Sequence, residues 1–394
     1  MENLIYLIVF SLPLYLIRKQ VLFLHTNGLE ILISIALVWW LVVFFRYAKI
    51  KSFCLEYEKY LICGALMLAG FFWSAGANGQ MLQSLSIIKS WFLFPLALML
   101  VAADVIPRER LKNIFLVYAV STLAVAAVAL PYLFLGQLTY DGRLMAFFNS
   151  PNYLAMYLAP GVIIYSWALL RAGHRKKNLL ALSVLLVVLF FTYSYAAYAA
   201  IFLSELFVLR AGRWDDGIKK IFSKELVALC LVIFMFFVFQ VNNKKFNDLL
   251  ALDPRSSLSS RVMIWKAALR MAEDRPVVGI GAANFQETYL SYQKFFPPYL
   301  EWAVPHPQNI FLTFWLFGGV LGILGFLGLL FFFFRDLFKK KSQNSLEILA
   351  FGLMLYILFH GLFDTTYFKN DLAIVFWLNF LVLKKTDEDQ MASL

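Results

Sequence analysis

The chain has 394 residues, is 62% apolar and only 15% charged, and has a mean hydropathy of +0.74. Soluble domains run nearer half apolar and a quarter charged, so composition excludes an ordinary soluble enzyme. The net charge of +11 would suit a nucleic-acid partner, but Lys and Arg cluster between apolar runs, where they mark cytoplasmic loops; no nucleic-acid partner is expected.

Apolar runs able to cross ~30 Å of hydrocarbon as helices recur along the chain, and each isolated span must satisfy its own backbone hydrogen bonds. The expected fold class is therefore all-α, a polytopic membrane helical bundle. About 12 transmembrane helices are read, at 4–17, 29–46, 60–75, 84–105, 112–135, 153–170, 178–194, 196–210, 225–241, 309–334, 345–363 and 371–384. The first run is short, yet no basic stretch precedes it and no small-residue cleavage site follows, so it is read as a tilted or shallow helix and not as a signal peptide. Of the 35 Lys and Arg, 22 fall at 46–59, 108–112, 171–177, 210–224, 335–341 and 384–385. These are alternate loops, which places both termini in the cytoplasm. Arg18 and Lys19 then lie outside, against the rule.

Four regions follow: an N-terminal transmembrane bundle over 1–241, a large periplasmic loop over 242–308, three further spans over 309–385, and a cytoplasmic tail over 386–394, polar and expected to be disordered. The loop carries basic residues of its own, although long loops translocate largely regardless of charge; an anionic ligand at the outer leaflet would account for them. Within it, 256–260 offers N-cap hydroxyls before a helix over 261–274. There Met263 or Ile264, Ala267 or Ala268, and Met271 form an apolar stripe at helical spacing, as on a helix lying at the membrane interface. Pro276 ends that helix, Gly279 and Gly281 make a turn, and a shorter helix is expected over 284–296 before Pro297 and Pro298.

The three cysteines, Cys54, Cys63 and Cys230, all lie outside the loop, so no disulfide framework or thiolate metal site is implied. No Walker loop, GxSxG, HExxH or convincing metal-binding carboxylate cluster occurs; no metal and no cofactor are expected. Arg143, in an outer loop, and Arg261, at the start of the loop helix, either snorkel to phospholipid phosphates or bind a diphosphate through the planar guanidinium. His306 lies between two prolines at the outer mouth of a span, a place for a general base, although a lone loop histidine is more often ordinary. His360 and Asp364 are four apart, and so are expected on one helix face, either as a packing pair or as an orienting part of a site. His174 and His25 carry no such expectation.

Four stretches in order, GRLMAFFNSPNYLA, SSRVMIWKAALRMAEDRPVVGIGAANF, HPQNIFLTFWLFGGVLG and HGLFDTTYFKNDLAIVFWL, resemble the O-antigen ligase/O-antigen polymerase superfamily. The resemblance runs from Arg143 to Trp377. It implies a membrane glycosyltransferase that moves a glycan from an undecaprenyl-diphosphate carrier to an acceptor hydroxyl on the periplasmic face of the bacterial inner membrane. The acceptor would be lipid A–core for a ligase or a second lipid-linked glycan for a polymerase, with membrane lipids as the surrounding partner. It puts Arg261 at the diphosphate and a loop histidine at the acceptor, and His306, two residues before the usual place, is read as that catalytic residue. Arg143, Gln308, Asn309, His360 and Asp364 are the expected substrate-binding residues. Direct backside displacement would invert the anomeric centre. Two positions depart from the family pattern. Tyr195 follows Ser194 where an arginine is usual, which leaves that role to Arg143 or another basic residue. Gln308 stands where a histidine usually precedes Asn309. A lipid-linked glycan flippase would also explain the spans but not the dominant outer loop, and a non-catalytic scaffold would leave that loop unexplained.

Overall fold

The computed structural model describes residues 1–21, 24–43, 56–171, 175–211, 222–241, 244–251, 253–254, 256–297, 304–339 and 345–383. Several sequence expectations lie outside these residues: the basic stretches at 46–55, 212–221, 340–341 and 384–385, His174, Cys54, the loop segment 298–303, and the tail 386–394.

The regular structure of the described residues is helical except for one two-stranded hairpin. Its helices are α1 (Glu2–Phe10), α2 (Gly28–Val43), α3 (Glu58–Ala77), α4 (Met81–Val105), α5 (Leu111–Phe134), α6 (Pro151–Arg171), α7 (Arg175–Phe190) and α8 (Tyr195–Ala211). There follow α9 (Phe222–Phe239), α10 (Lys244–Leu250), α11 (Ser257–Asp274), α12 (Phe285–Tyr292), α13 (Ile310–Lys339), α14 (Ser345–Gly361) and α15 (Asn370–Leu378). Four helical stretches, Glu58–Ala77, Met81–Val105, Arg108–Phe134 and Ile310–Lys339, are long and apolar enough to cross a membrane. Shorter apolar helices accompany them at Gly28–Val43, Tyr195–Val208, Ser345–Gly361 and Asn370–Leu383. The chain is thus a multi-pass helical membrane protein.

The first expected span is corrected. Helix α1 stops at Phe10, and Pro13 sits inside a separate 3₁₀ turn, Leu12–Leu16. Nine α-helical residues rise only ~14 Å, too little to cross ~30 Å. The chain then pairs with itself as β1 (Arg18–Val21) and β2 (Leu24–Asn27), with Arg18 opposite Asn27. A hairpin is a local departure from the all-α expectation.

Two long helices contain breaks that hydropathy does not show. Helix α4 widens into a π turn over Lys89–Leu93, just before Pro95. Proline has no N–H to offer the carbonyl four residues back, and that carbonyl, Trp91 O, instead accepts the Tyr367 hydroxyl at 2.9 Å. Helix α13 is broken at Gly319, whose φ of 62° and ψ of −160° are not helical. The break frees Leu316 O and Val320 N from each other. The loop fills both, with Ile280 N donating to Leu316 O at 2.7 Å and Val320 N donating to Val277 O at 2.9 Å. The turn after Pro276 is therefore stitched into α13, and the span expected over 309–334 is not one straight helix.

The loop helices largely match expectation. Ser256 caps α11 by accepting Ser259 N, so the helix begins four residues before Arg261. Its buried face, including Met263, Ile264, Ala267, Ala268 and Met271, is the expected stripe. This stripe is covered by protein, chiefly α13 and α12. Helix α12 with its 3₁₀ extension Gln293–Phe295 occupies the place of the second helix.

Helices α3 and α13 approach closely enough that only small residues fit between them. A Cβ on Gly325 would come within 2.6 Å of Cys63 O and of Met67 N, both backbone atoms; a Cβ on Gly76 would meet nothing within 4 Å. Gly325→Ala is therefore expected to destabilise the fold by roughly 1–3 kcal/mol, as overpacking does. Gly76→Ala should be neutral or stabilising by up to about 1 kcal/mol. Thermal melting of both variants in detergent checks the contrast.

Candidate functional site

Arg143 is positioned by a short turn and a hook. Its N–H donates to Thr139 Oγ1 at 3.0 Å, and Leu144 N donates to Phe191 O at 2.8 Å. The guanidinium then reaches across to the junction of α7 and α8, where Nε donates to Thr192 O at 2.7 Å. Arg261 is held by its own helix and by the segment after α14, with Nη1 donating to Ser257 O at 3.1 Å and Nε to Phe363 O at 2.7 Å.

One carboxylate links the two arginines. Asp364 Oδ2 lies 3.9 Å from Arg261 Nη2 and accepts Asn152 Nδ2 at 3.2 Å. Asn152 Oδ1 in turn accepts Arg143 Nη2. The other oxygen, Oδ1, accepts Thr365 N at 2.8 Å. Burial by itself would raise the Asp364 pKa; His306, Arg261, His360 and the Thr365 N–H outweigh it and hold the carboxyl below its ordinary value. Burial lowers the Arg143 pKa, and Asp141 partly offsets this.

Arg143 and Arg261 line one cavity of about 520 Å³. Asn152 and Ser194 add polar atoms, and much of the rest of the wall is apolar or aromatic: Tyr195, Phe237, Leu250, Leu258 and Phe363 among others. Tyr195, which stands where the family usually has an arginine, shares this wall with Arg143. Two fixed cations in a largely apolar chamber suit an anionic head attached to an apolar tail.

His306 stands close to this assembly but faces hydroxyls. Its Nε2 is 3.2 Å from Thr365 Oγ1 and 3.3 Å from the Tyr153 hydroxyl, while Nδ1 accepts Gln308 N–H at 3.3 Å. A backbone N–H can only donate, so the neutral ring carries its hydrogen on Nε2, and its one lone pair is engaged by Gln308. Gln308 has a φ of +51°; Ala146 and Tyr193, also with positive φ, lie in the loop after Arg143 and in the cavity wall. Such backbone conformations in non-glycine residues cluster at functional sites.

The remaining expected residues are present in other ways. Asn309 caps α13, with Oδ1 accepting Phe311 N and Leu312 N and Nδ2 donating to Leu362 O. Gln308 offers backbone, since its carbonyl accepts Trp265 Nε1. His360 is fully buried and pairs through Nδ1 with the Tyr356 hydroxyl at 2.7 Å. Helix α14 ends at Gly361, but Asp364 N still donates to His360 O at 3.0 Å, and His360 is among the groups that hold the Asp364 carboxyl below its ordinary value. Asn152, Tyr153 and Thr365 were not singled out from the sequence. The available signal was Ser150-Pro151, an N-cap followed by proline, which starts α6 and turns Asn152 and Tyr153 inward. Among the described residues no group of three or more His, Cys, Asp or Glu is placed to hold a metal ion.

Burial brings the His306 pKa down to about 4, with Lys369 and Arg261 adding to the shift and Asp364 opposing it. Its value in an unfolded chain is about 6.5. Between those values the unfolded chain binds the proton and the folded protein does not, so stability is full above about 6.5 and falls as pH drops toward 4. Melting at pH 7 and pH 5 should show a smaller acid-side loss for His306→Gln than for the wild type.

No curated protein shows a significant match to the chain. Residues 179–327 match a family model described as O-Antigen ligase. That segment includes Arg261, His306, Gln308 and Asn309, while Arg143 and Asn152 line the cavity from outside it and Asp364, also outside it, contacts Arg261 and Asn152. Over 179–327 the chain is similar to the O-antigen ligase family, and the match supports the superfamily that its motifs resemble, the O-antigen ligase/polymerase superfamily.

Proposed function

We propose that the protein is an O-antigen ligase, transferring a glycan from an undecaprenyl-diphosphate carrier to a lipid A–core acceptor at the periplasmic face of the inner membrane. The observation that carries the reading is the pairing of Arg143 and Arg261 in one otherwise largely apolar cavity. The coarser statement, a glycosyltransferase of ligase or polymerase type acting on lipid-linked glycans, rests on the family match. A polymerase reading has the same site and differs only in the acceptor.

In this mechanism the diphosphate lies against the two guanidiniums. The acceptor oxygen attacks the anomeric carbon from the side opposite the carrier. A new C–O bond forms as the bond from the anomeric carbon to the diphosphate oxygen breaks. The carrier diphosphate leaves with the electron pair, and the anomeric centre inverts. Charge developing on the leaving group is met by the guanidiniums, each such contact worth roughly 2–4 kcal/mol by analogy with oxyanion donors. No metal ion is required by this scheme. The acceptor proton goes to His306 Nδ1, the ring nitrogen without a hydrogen, once the Gln308 N–H bond to it opens. Nε2, which faces Tyr153 and Thr365, carries the ring hydrogen and can donate to an acceptor oxygen. His360 supports Tyr356 and the core, and Asp364 fixes the arginines.

Gel analysis of surface glycans from a deletion strain, complemented with wild-type or variant genes, tests this reading. The ligase reading expects lipid A–core without attached chains and polymer accumulating on the carrier. His306→Ala should restore less than about 1% of transfer, in line with the ~10²–10⁴-fold contribution of a general base. Single repeats attached to lipid A–core would identify a polymerase. Intact repeats trapped inside the cell, or normal chains with His306→Ala, would contradict the scheme.

A further inference from the structure

A second cavity, of about 530 Å³, shares no lining residue with the two-arginine chamber. It is built around Glu30, in the first turn of α2 and 1% exposed. Four donors converge on this carboxylate: Lys89 Nζ at 2.8 Å, Ser90 Oγ at 2.5 Å, Thr26 Oγ1 at 3.1 Å and Asn370 Nδ2 at 3.1 Å. Lys89 and Ser90 are adjacent residues of the π turn in α4. Proline-driven widening of a helix lets both reach the same partner, and π turns are frequent at functional sites.

Two features of the lining are unspent. Tyr15 is 3% exposed, and its hydroxyl has no hydrogen-bond partner among the described residues. A buried polar group is ordinarily paired. Arg18 also lines the cavity, and among the described residues its guanidinium has neither a hydrogen bond nor an ion pair. Lys89 neutralises Glu30, so Arg18 leaves the cavity with positive charge to offer. This is the same Arg18 that the charge rule left unexplained. Trp91 adds an aromatic wall, on which the C–H face of a sugar ring can rest.

A chain of packed side chains links the cavity wall to the reaction centre. Lys369, next to the lining residue Asn370, places its Nζ 5.6 Å from the Tyr15 ring centroid and 3.2 Å from that of Tyr153. Tyr153 is one of the hydroxyls on His306. A transferase needs two subsites near the acceptor proton; Arg261 in the first cavity neighbours Asp364, beside Thr365 at the His306 ring, and Tyr15 in the second reaches Tyr153 through Lys369.

We propose that the Glu30 cavity is the acceptor subsite and that it holds an anionic sugar of the acceptor glycan, one bearing phosphate or carboxylate. This rests on the transferase reading above. Arg18 meets the anionic group, Tyr15 and the Glu30 network meet ring hydroxyls, and Trp91 supports the ring.

The probe is the core oligosaccharide released by mild acid from the host's own lipid A–core, titrated against full-length protein in detergent. The wild type should bind it, and enzymatic dephosphorylation or carboxyl reduction of the anionic sugars should weaken binding at least tenfold. Arg18→Gln should raise both its Kd and the acceptor KM about tenfold or more, with kcat and the donor KM unchanged. Ser86→Trp, which fills the cavity without removing a donor to Glu30, should abolish binding in protein that remains monodisperse. Binding unaltered in both variants overturns the proposal. So does an oligosaccharide that fails to bind the wild type while phosphatidylglycerol co-purifies and is lost in Arg18→Gln, which marks a lipid headgroup site. Transfer that needs Arg261 but shows an unchanged acceptor KM in Arg18→Gln removes this subsite and leaves the transferase reading. Oligosaccharide binding lost in Ser86→Trp without any transfer by the wild type removes the transferase reading and leaves a glycan site.

Discussion

The site depends on one buried carboxylate. Asp364 joins Arg261 directly and Arg143 through Asn152, and so ties α11, the start of α6 and the segment after α14 to a single point. Two guanidiniums converging in an apolar chamber would repel one another and resist desolvation. A negative charge between them makes the arrangement tolerable before any substrate arrives. Asp141 Oδ2, 4.0 Å from Arg143 Nη1, is a second carboxylate at the pair, so a diphosphate would be held by hydrogen bonds from the guanidiniums and not by uncompensated charge. Removing one member of such a buried network commonly costs 3–5 kcal/mol, because the remaining charges lose their partners.

A second constraint keeps the loop before α13 in place. The break in α13 exchanges one helical hydrogen bond for two bonds to the loop, and the indole of Trp315 adds a third to Pro276 O at 2.9 Å. Gly319 permits this geometry, since its Cβ position lies 2.0 Å from Val277 O. Arg275 Nη1 and Asn284 Nδ2 both bond Asn78 at the end of α3. The loop is therefore part of the helical body, and α11 presents Arg261 from a fixed platform. A site that must hold two charged groups in register gains from such pre-organisation.

The sequence made the helical body legible because apolar runs of membrane length and the loop's stripe are local patterns. It also marked Arg143, Arg261, His306 and Asp364, because charged residues at span ends stand out against apolar surroundings. The hairpin after Ile17 and the break at Gly319 were not legible. Both depend on backbone pairing, in the second case between residues far apart in the chain, and Gly319 is one of several glycines in FGGVLGILGFLG. Asn152 reads as a helix-start residue until Asp364 and Arg143 appear on either side of it.

The central claim is that Arg143 and Arg261 act together on a diphosphate. The most direct measurement is equilibrium binding of undecaprenyl diphosphate and undecaprenyl monophosphate to the purified protein, with Arg143→Gln and Arg261→Gln alongside. A charge-assisted hydrogen bond contributes about 1.5–3 kcal/mol. The wild type should therefore prefer the diphosphate by about tenfold or more, and each variant should lose most of that preference while remaining folded. A preference that survives either substitution would contradict the account.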